Sequence, residues 1–336
     1  MNNGKKLRWG IVGCAGIAIG SVIPGIKQSQ TGEVAAIASR DEEKVKATAE
    51  KLDIPVAYSS YEALLADDSI DAVYIPLPNH LHKEWTIRAA EAGKHVLCEK
   101  PFALTAEEAE EMVEACRKAG VHLAEAFMYR HHPRYDRIKE IIASGEIGTI
   151  RGIHGTFTFN SSGAKENVRF HRHMGGGALY DIGCYPLSAA RYILDKEPVA
   201  ATVQAFFSPQ HGDVDMMASG LVEFPDSIGL TFDCAMWAAG RNTLEILGTE
   251  GRIHLPSAFV SAPSQSAVFT VFSKGEQREE TFEPINQYAL QADDFARTVW
   301  GEQQPRFAPE DAVSNMKILD ACLLSAEQRI RVKLEE

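Results

Sequence analysis

A chain of 336 residues is long enough for two domains of ordinary size, and 45% apolar with 24% charged residues is the composition of a globular protein. Acidic residues outnumber basic ones by 46 to 34, a formal net charge of -12, with no basic block to offset it; nucleic acid and anionic membranes are excluded as main partners. No stretch approaches the roughly 18 apolar residues of a membrane span. Met1–Lys6 leads into no apolar signal region, and six scattered cysteines without a CxxC pair read as reduced core residues of a cytoplasmic protein.

Leu7–Val12 reads as a first strand running into Gly13-Cys14-Ala15-Gly16-Ile17-Ala18 and a helical stretch to about Gln28. This is the strand–turn–helix setting of a dinucleotide fingerprint, with Gly13, Ala15, Gly16 and Ile17 as the candidate phosphate-binding turn. Ala15 stands where the pattern wants a second glycine and costs one methyl of clearance. The next strand, Glu33–Ala38, ends in Ser39-Arg40-Asp41. An acid at the strand end would hold the ribose hydroxyl of NAD, whereas a hydroxyl followed by a guanidinium suits the 2′-phosphate of NADP. Ser39 and Arg40 therefore favour NADP over NAD, and Asp41 reads as the N-cap of a helix over Glu42–Leu52.

The alternation continues with a helix over Tyr61–Ala66, a strand over Ala72–Ile75, and Pro78-Asn79-His80-Leu81-His82 opening a helix to Ala92. A buried strand at Val96–Cys98 then stops abruptly at Glu99-Lys100-Pro101, a charged pair where an open α/β sheet has its ligand crevice; Pro101 is a candidate for a cis peptide. Thr105 with Glu108 forms a capping box for the helix to Ala119, and His122–Ala126 closes a doubly wound domain of six strands over residues 1–126. The histidines around 80, 82, 95, 131, 132, 171 and 173 share no ligand spacing, so no metal site is expected.

Residues 127–336 follow a different period. After a helix over Pro133–Ser144, apolar residues alternate at Ile153, Gly155, Phe157 and Phe159, again from Met216 to Phe224, and again from Ile228 to Met236. Turns at Pro225-Asp226-Ser227 and Gly248–Gly251 join them, which predicts a large open, mostly antiparallel sheet with one covered face. Helices at Tyr288–Trp300 and Pro309–Gln328 end the chain. One helix interrupts the sheet domain: Gly175-Gly176-Gly177-Ala178-Leu179-Tyr180-Asp181-Ile182-Gly183-Cys184-Tyr185, continuing to about Leu194. Asp181 and Tyr185, four apart, share a face. Gly183 inside it suggests close approach by another element. The triple glycine would also suit a phosphate at the helix N-terminus.

These four stretches, the Gly13 turn, Pro78–His82, Glu99-Lys100-Pro101 and Gly175–Tyr185, resemble in that order the glucose–fructose oxidoreductase/inositol dehydrogenase/MocA family over nearly the whole chain. The resemblance implies an N-terminal Rossmann domain, a C-terminal α/β domain for substrate binding, and a homodimer or homotetramer formed through the large sheet. It implies that Lys100 is the active-site lysine and Asp181 the substrate-facing aspartate. Tyr185, where many members have histidine, is similar to the branch of aldose 1-dehydrogenases and dimeric dihydrodiol dehydrogenases, in which tyrosine is the acid/base; Ser39-Arg40 resembles its NADP-using members. Pro78, Asn79, His82, Glu99 and Lys100 would then lie along the cofactor, with His82 on the nicotinamide side.

The chemistry fits residue by residue. A tyrosine of ordinary pKa, about 10, is a poor base at neutral pH. A neighbouring ammonium favours the phenolate, so Lys100 beside Tyr185 would make a usable proton acceptor while the nicotinamide carries hydride. The expected activity is NADP-dependent hydride transfer to or from a sugar or polyol, first of all aldose oxidation at C1 to the lactone. Trans-dihydrodiol oxidation and keto-sugar reduction are alternatives within that chemistry; an NAD-dependent glycoside hydrolase and a non-enzymatic NADP-binding regulator lie outside it. Arg169, Arg172 and His173, in the segment Asn160–Met174, are candidates for substrate hydroxyls or a phosphate.

Overall fold

A computed structural model describes residues 4–164 and 167–334. The chain divides into two units, Met1–His131 with Asn286–Val313, and His132–Ile285 with Ser314–Glu336. In the first, β1 (Leu7–Val12), α1 (Ile23–Gln28), β2 (Gly32–Ala38), α2 (Glu42–Lys51), β3 (Val56–Tyr58), α3 (Tyr61–Leu65), β4 (Ala72–Ile75), α4 (His82–Glu91), β5 (His95–Cys98), α5 (Ala106–Ala119) and β6 (Leu123–Glu125) alternate. The six strands are parallel in the order β3-β2-β1-β4-β5-β6. Ile11 pairs with Ile37 on one side and Tyr74 on the other, and Tyr74 with Leu97, so apolar side chains run unbroken across the sheet. The strand order reverses between β1 and β4, which opens a crevice beyond the strand carboxyl ends. Asp41 caps α2 by accepting the Lys44 amide at 2.9 Å. Thr105 caps α5, while the Glu108 carboxylate reaches back one residue further than a capping box does, to the Leu104 amide.

The second unit opens with α6 (Arg134–Ala143) and β7 (Ile150–Asn160). After α7 (Cys184–Leu194) come β8 (Ala200–Ser208), β9 (Val214–Phe224), β10 (Ile228–Ala235), β11 (Trp237–Gly248), β12 (Gly251–Leu255), β13 (Ala267–Ser273) and β14 (Glu276–Phe282). They form one sheet, order β14-β13-β12-β11-β7-β10-β9-β8-β15, closed at one edge by β15 (Val332–Lys333). Every pairing is antiparallel except β7 with β10. Ile153, Leu230, Val222, Ile246 and Ile253 are buried on one face, as their period of two requires. On the same face Gly155 lets α7 approach: a Cβ there would lie 2.6 Å from Cβ of Pro186.

The first unit is not one uninterrupted stretch. A single boundary near residue 126 is corrected by α8 (Gln287–Val299), which returns to the dinucleotide side of the chain. Its Phe295 ring packs 4.9 Å from Trp9 and 4.8 Å from His122, and Asp293 accepts from the Thr31 amide at 3.0 Å and hydroxyl at 2.6 Å. Removing α8 would expose Trp9, which is fully buried. α9 (Pro309–Gln328) then leads back into the second unit.

The six cysteines are buried free thiols, with burial pushing Cys116 up to about 12. Burial also pushes three imidazoles, His82, His122 and His132, down to about 4. Each folds neutral but binds a proton in the unfolded chain below about pH 6.5. Their contribution to stability is therefore complete above about 6.5 and is lost as pH falls through about 4. The urea midpoint is expected to drop between pH 7 and pH 5; a midpoint constant over that interval would show that these rings do not stay neutral.

Candidate active site

The phosphate-binding turn leaves β1 with Gly13 at φ +120°, a conformation that favours glycine. The backbone then winds through one π turn, Ala18–Val22, into α1, with the Ile19 amide bonded to the Ala15 carbonyl at 3.1 Å. Ala15 is half-buried, and Gly16 and Ile17 are exposed. A Cβ built on Gly16 meets no heavy atom within 4 Å, so the turn presents an open cradle at the sheet crevice. At the end of β2, Ser39 is buried with its hydroxyl accepting the Asp41 amide at 3.2 Å, while Arg40 is exposed. The Arg40 guanidinium also reaches the Tyr61 hydroxyl, whose acidity burial suppresses and Arg40 partly restores. Tyr61 has no signature in the sequence; only the fold brings it beside Gly13, Cys14 and Arg40. An open turn, a hydroxyl and an exposed guanidinium at adjacent strand ends fit a phosphorylated dinucleotide.

Pro78 and Asn79 are half-buried at the end of β4. Two neighbours differ from the sequence expectation. His82 is fully buried, with one ring nitrogen 3.0 Å from the Pro101 carbonyl and the other 2.8 Å from that of Leu77. A neutral ring has one N–H and donates to only one of these carbonyls; with no exposed surface, His82 packs between the end of β4 and the turn after β5 rather than along the crevice. Glu99 is also turned inward: its carboxylate accepts the Tyr74 hydroxyl at 2.5 Å and the Lys100 amide at 3.2 Å. It braces the backbone of Lys100 rather than facing a ligand. Lys100 itself is half-buried, its peptide bond to Pro101 is cis, and its ammonium is close enough to His82 to disfavour protonation there.

In the second unit the glycine run leads into one π turn, Leu179–Gly183, that continues as α7. Such single π turns recur at functional sites. Gly183 faces β10: its Cβ would lie 3.2 Å from the sulfur of Cys234, which is the close approach expected of it. Tyr185 is 5% exposed, its ring set 5.2 Å from Phe157 and 5.5 Å from Phe259. Asp181 forms an ion pair with Arg169 at 2.6 Å and retains 14% exposure. Arg169 is thus a partner of Asp181 before it is a substrate ligand. Arg172 pairs with Glu327 of α9, and His173 is exposed beside His171, rings 5.8 Å apart. Of the proposed specificity segment, Lys165 and Glu166 lie outside the described residues. One residue of this region that the sequence does not signal is Asp215, buried against the glycine run.

Comparison with known proteins matches residues 7–127 to the oxidoreductase family with an NAD-binding Rossmann fold, and residues 135–254 to the GFO/IDH/MocA C-terminal domain. D-xylose 1-dehydrogenase (NADP(+)) 2 of Haloferax volcanii is 40% identical over 98% of this chain and 100% of its own length. Among solved structures, aldose-aldose oxidoreductase of Caulobacter crescentus, complexed with glycerol, superposes with TM-score 0.91 at 29% identity, covering 98% of this chain and 100% of that one. A 3-ketoreductase of Actinomadura kijaniata, in complex with NADP and TDP-benzene, superposes with TM-score 0.89 at 32% identity, covering 96% and 98%. No helix among the described residues is long and apolar enough to cross a membrane. With both domains matched in order and such likeness along nearly its whole length, the chain belongs to the GFO/IDH/MocA oxidoreductase family.

Proposed function

We propose that this oxidoreductase uses NADP to oxidise an aldose at C1 to its lactone. The observation that carries the cofactor is the pair at the end of β2: Ser39 stands where an NAD site would hold an acid, and the exposed Arg40 guanidinium follows it. The aldose is supported by the full-length likeness to an NADP-linked D-xylose dehydrogenase. When bound, NADP supplies the hydride acceptor. Gly13, Ala15, Gly16 and Ile17 would hold its pyrophosphate, Ser39 and Arg40 its 2′-phosphate, and Pro78 and Asn79 would border its path along the strand ends.

The reading assigns three roles to the chain's own groups. Tyr185 Oη receives the proton of the C1 hydroxyl. Lys100 supplies the positive charge that makes a phenolate accessible near neutral pH. Asp181, held by Arg169, accepts a hydrogen bond from a sugar hydroxyl, because a carboxylate can only accept. The reverse reaction on a keto-sugar uses the same groups, with Tyr185 donating; the likeness to a 3-ketoreductase favours that second reading.

Fluorescence titration with NADPH and NADH, followed by an aldose panel with NADP, tests the proposal. At least tenfold preference for NADPH is expected, together with aldose-dependent NADP reduction. Arg40→Ala should cost NADPH binding about ten- to hundredfold and leave NADH binding unchanged, as loss of a charge-assisted bond worth about 1.5–3 kcal/mol predicts. Tight NADH binding without turnover would overturn both the cofactor and the reaction. Reduction of keto-sugar nucleotides with no aldose oxidation would select the second reading.

A further inference from the structure

The helix bearing Asp181 and Tyr185 begins with amides that have no partner within the helix, as all helices do. In this protein a carboxylate from another element meets them. Asp215, the second residue of β9, is 3% exposed and accepts the Leu179 amide at 2.7 Å; the Ala178 amide also donates to it. The glycine run makes room for it. Gly177 has φ +122°, and a Cβ there would lie 1.9 Å from Asp215 Oδ1.

Around this contact the chain closes a ring of bonds. The Gly177 amide donates to the Arg169 carbonyl at 3.0 Å, and the Gly177 carbonyl accepts the Asp181 amide at 3.0 Å. The Arg169 side chain returns to the Asp181 carboxylate at 2.6 Å. Asp215 holds the next two residues, so movement at Ala178 or Leu179 is passed directly to Asp181 and to the start of α7. Burial pushes the Asp215 carboxyl up to about 7, against the two amides and the Arg172 guanidinium that favour its ionised form, so near neutral pH it holds the helix start as a partly ionised acceptor; the Cys234 thiol is the other titratable neighbour.

We propose that Asp215 is the positioning residue of the active site: it anchors the helix start that presents Asp181 and Tyr185, and it fills the anion-binding position that the triple glycine would otherwise offer to a substrate phosphate. The inference rests on the assignment of Asp181 and Tyr185 to the sugar. A substrate of this enzyme is therefore recognised at that helix end through hydroxyl groups and not through a phosphate.

Asp215→Asn and Asp215→Ala, in the full-length protein, test it by two readouts. Hydrogen exchange should accelerate at the amides of Ala178 and Leu179, about tenfold in the Asn variant, which loses one acceptor, and further in the Ala variant. In aldose oxidation kcat should fall in the same order, by tenfold or more in the Ala variant. KM for the sugar and the dissociation constant for NADPH should stay within about threefold. If the Ala variant does not fold, the Asn variant carries both readouts. Faster exchange with unchanged kcat, or unchanged exchange in either variant, would overturn the proposal. Absence of turnover in the unsubstituted protein would instead sink the proposed function, and the exchange readout would still decide whether Asp215 anchors the helix.

Discussion

Lys100→Met is expected to lower turnover about a thousandfold or more while leaving NADPH binding within about threefold. Methionine matches the length of lysine and removes only the ammonium. The cradle at Gly16 and the guanidinium of Arg40 are untouched, so the cofactor affinity has no reason to change. On the proposed mechanism, what is lost is the charge that would favour a Tyr185 phenolate; proton transfer by a positioned group is worth about 10²- to 10⁴-fold. The turn should keep its shape, because it is held by backbone and neighbours rather than by the ammonium: Glu99 accepts the Lys100 amide, Tyr74 holds Glu99, and His82 reaches the Pro101 carbonyl. Lys100→Arg, which keeps the charge on a different geometry, should retain partial activity. Steady-state rates with saturating NADP decide the matter, and retained turnover in the methionine variant would remove Lys100 from the mechanism.

Gly177→Ala should destabilise the protein by about 3 kcal/mol or more. Two penalties combine there. An L-residue at φ +122° is strained by about 1–3 kcal/mol, and the new methyl falls 1.9 Å from a buried carboxylate oxygen. Asp215 would have to move, giving up the Leu179 amide. Gly16→Ala is the contrasting substitution: no heavy atom lies within 4 Å of its Cβ. It should leave the urea midpoint nearly unchanged while weakening NADPH binding, since the methyl enters the space offered to the pyrophosphate. Equal urea midpoints for the two variants would show that the glycine run has no packing role.

Much of this architecture is legible in the sequence because its period is local. The alternation of short apolar runs and helices announces the parallel sheet, and the period-two runs at Ile153–Phe159 and Ile228–Met236 announce the second one. Elements without such a signal escape. β3 has three residues with an exposed Val56, and β8 places Ala205, Phe206 and Phe207 in succession, so neither alternates cleanly. The place of α8 beside Trp9 depends on contacts across nearly the full chain length, which no local pattern carries. At the site, residue type indicates the chemistry but not the direction a side chain takes. Glu99 and Lys100 are adjacent and both charged, yet burial of the Tyr74 hydroxyl draws the carboxylate inward and leaves the ammonium half-buried at the strand end. Asp215 opens a strand as an ordinary polar residue would; only the fold sets it against Gly177.

The return of α8 has a consequence for how the protein is made. A ribosome releases the six strands of the first sheet by residue 125, yet Asn286–Val313 belongs to the same unit. At a synthesis rate of about 5–20 residues per second, the intervening chain takes on the order of ten seconds to half a minute to appear. Throughout that interval Trp9, Gly25 and Thr31 lack the helix that covers them. The nascent first sheet therefore waits, incompletely packed, while strands β7 to β14 of the second sheet are translated, and becomes complete only when nearly all of the chain has been released.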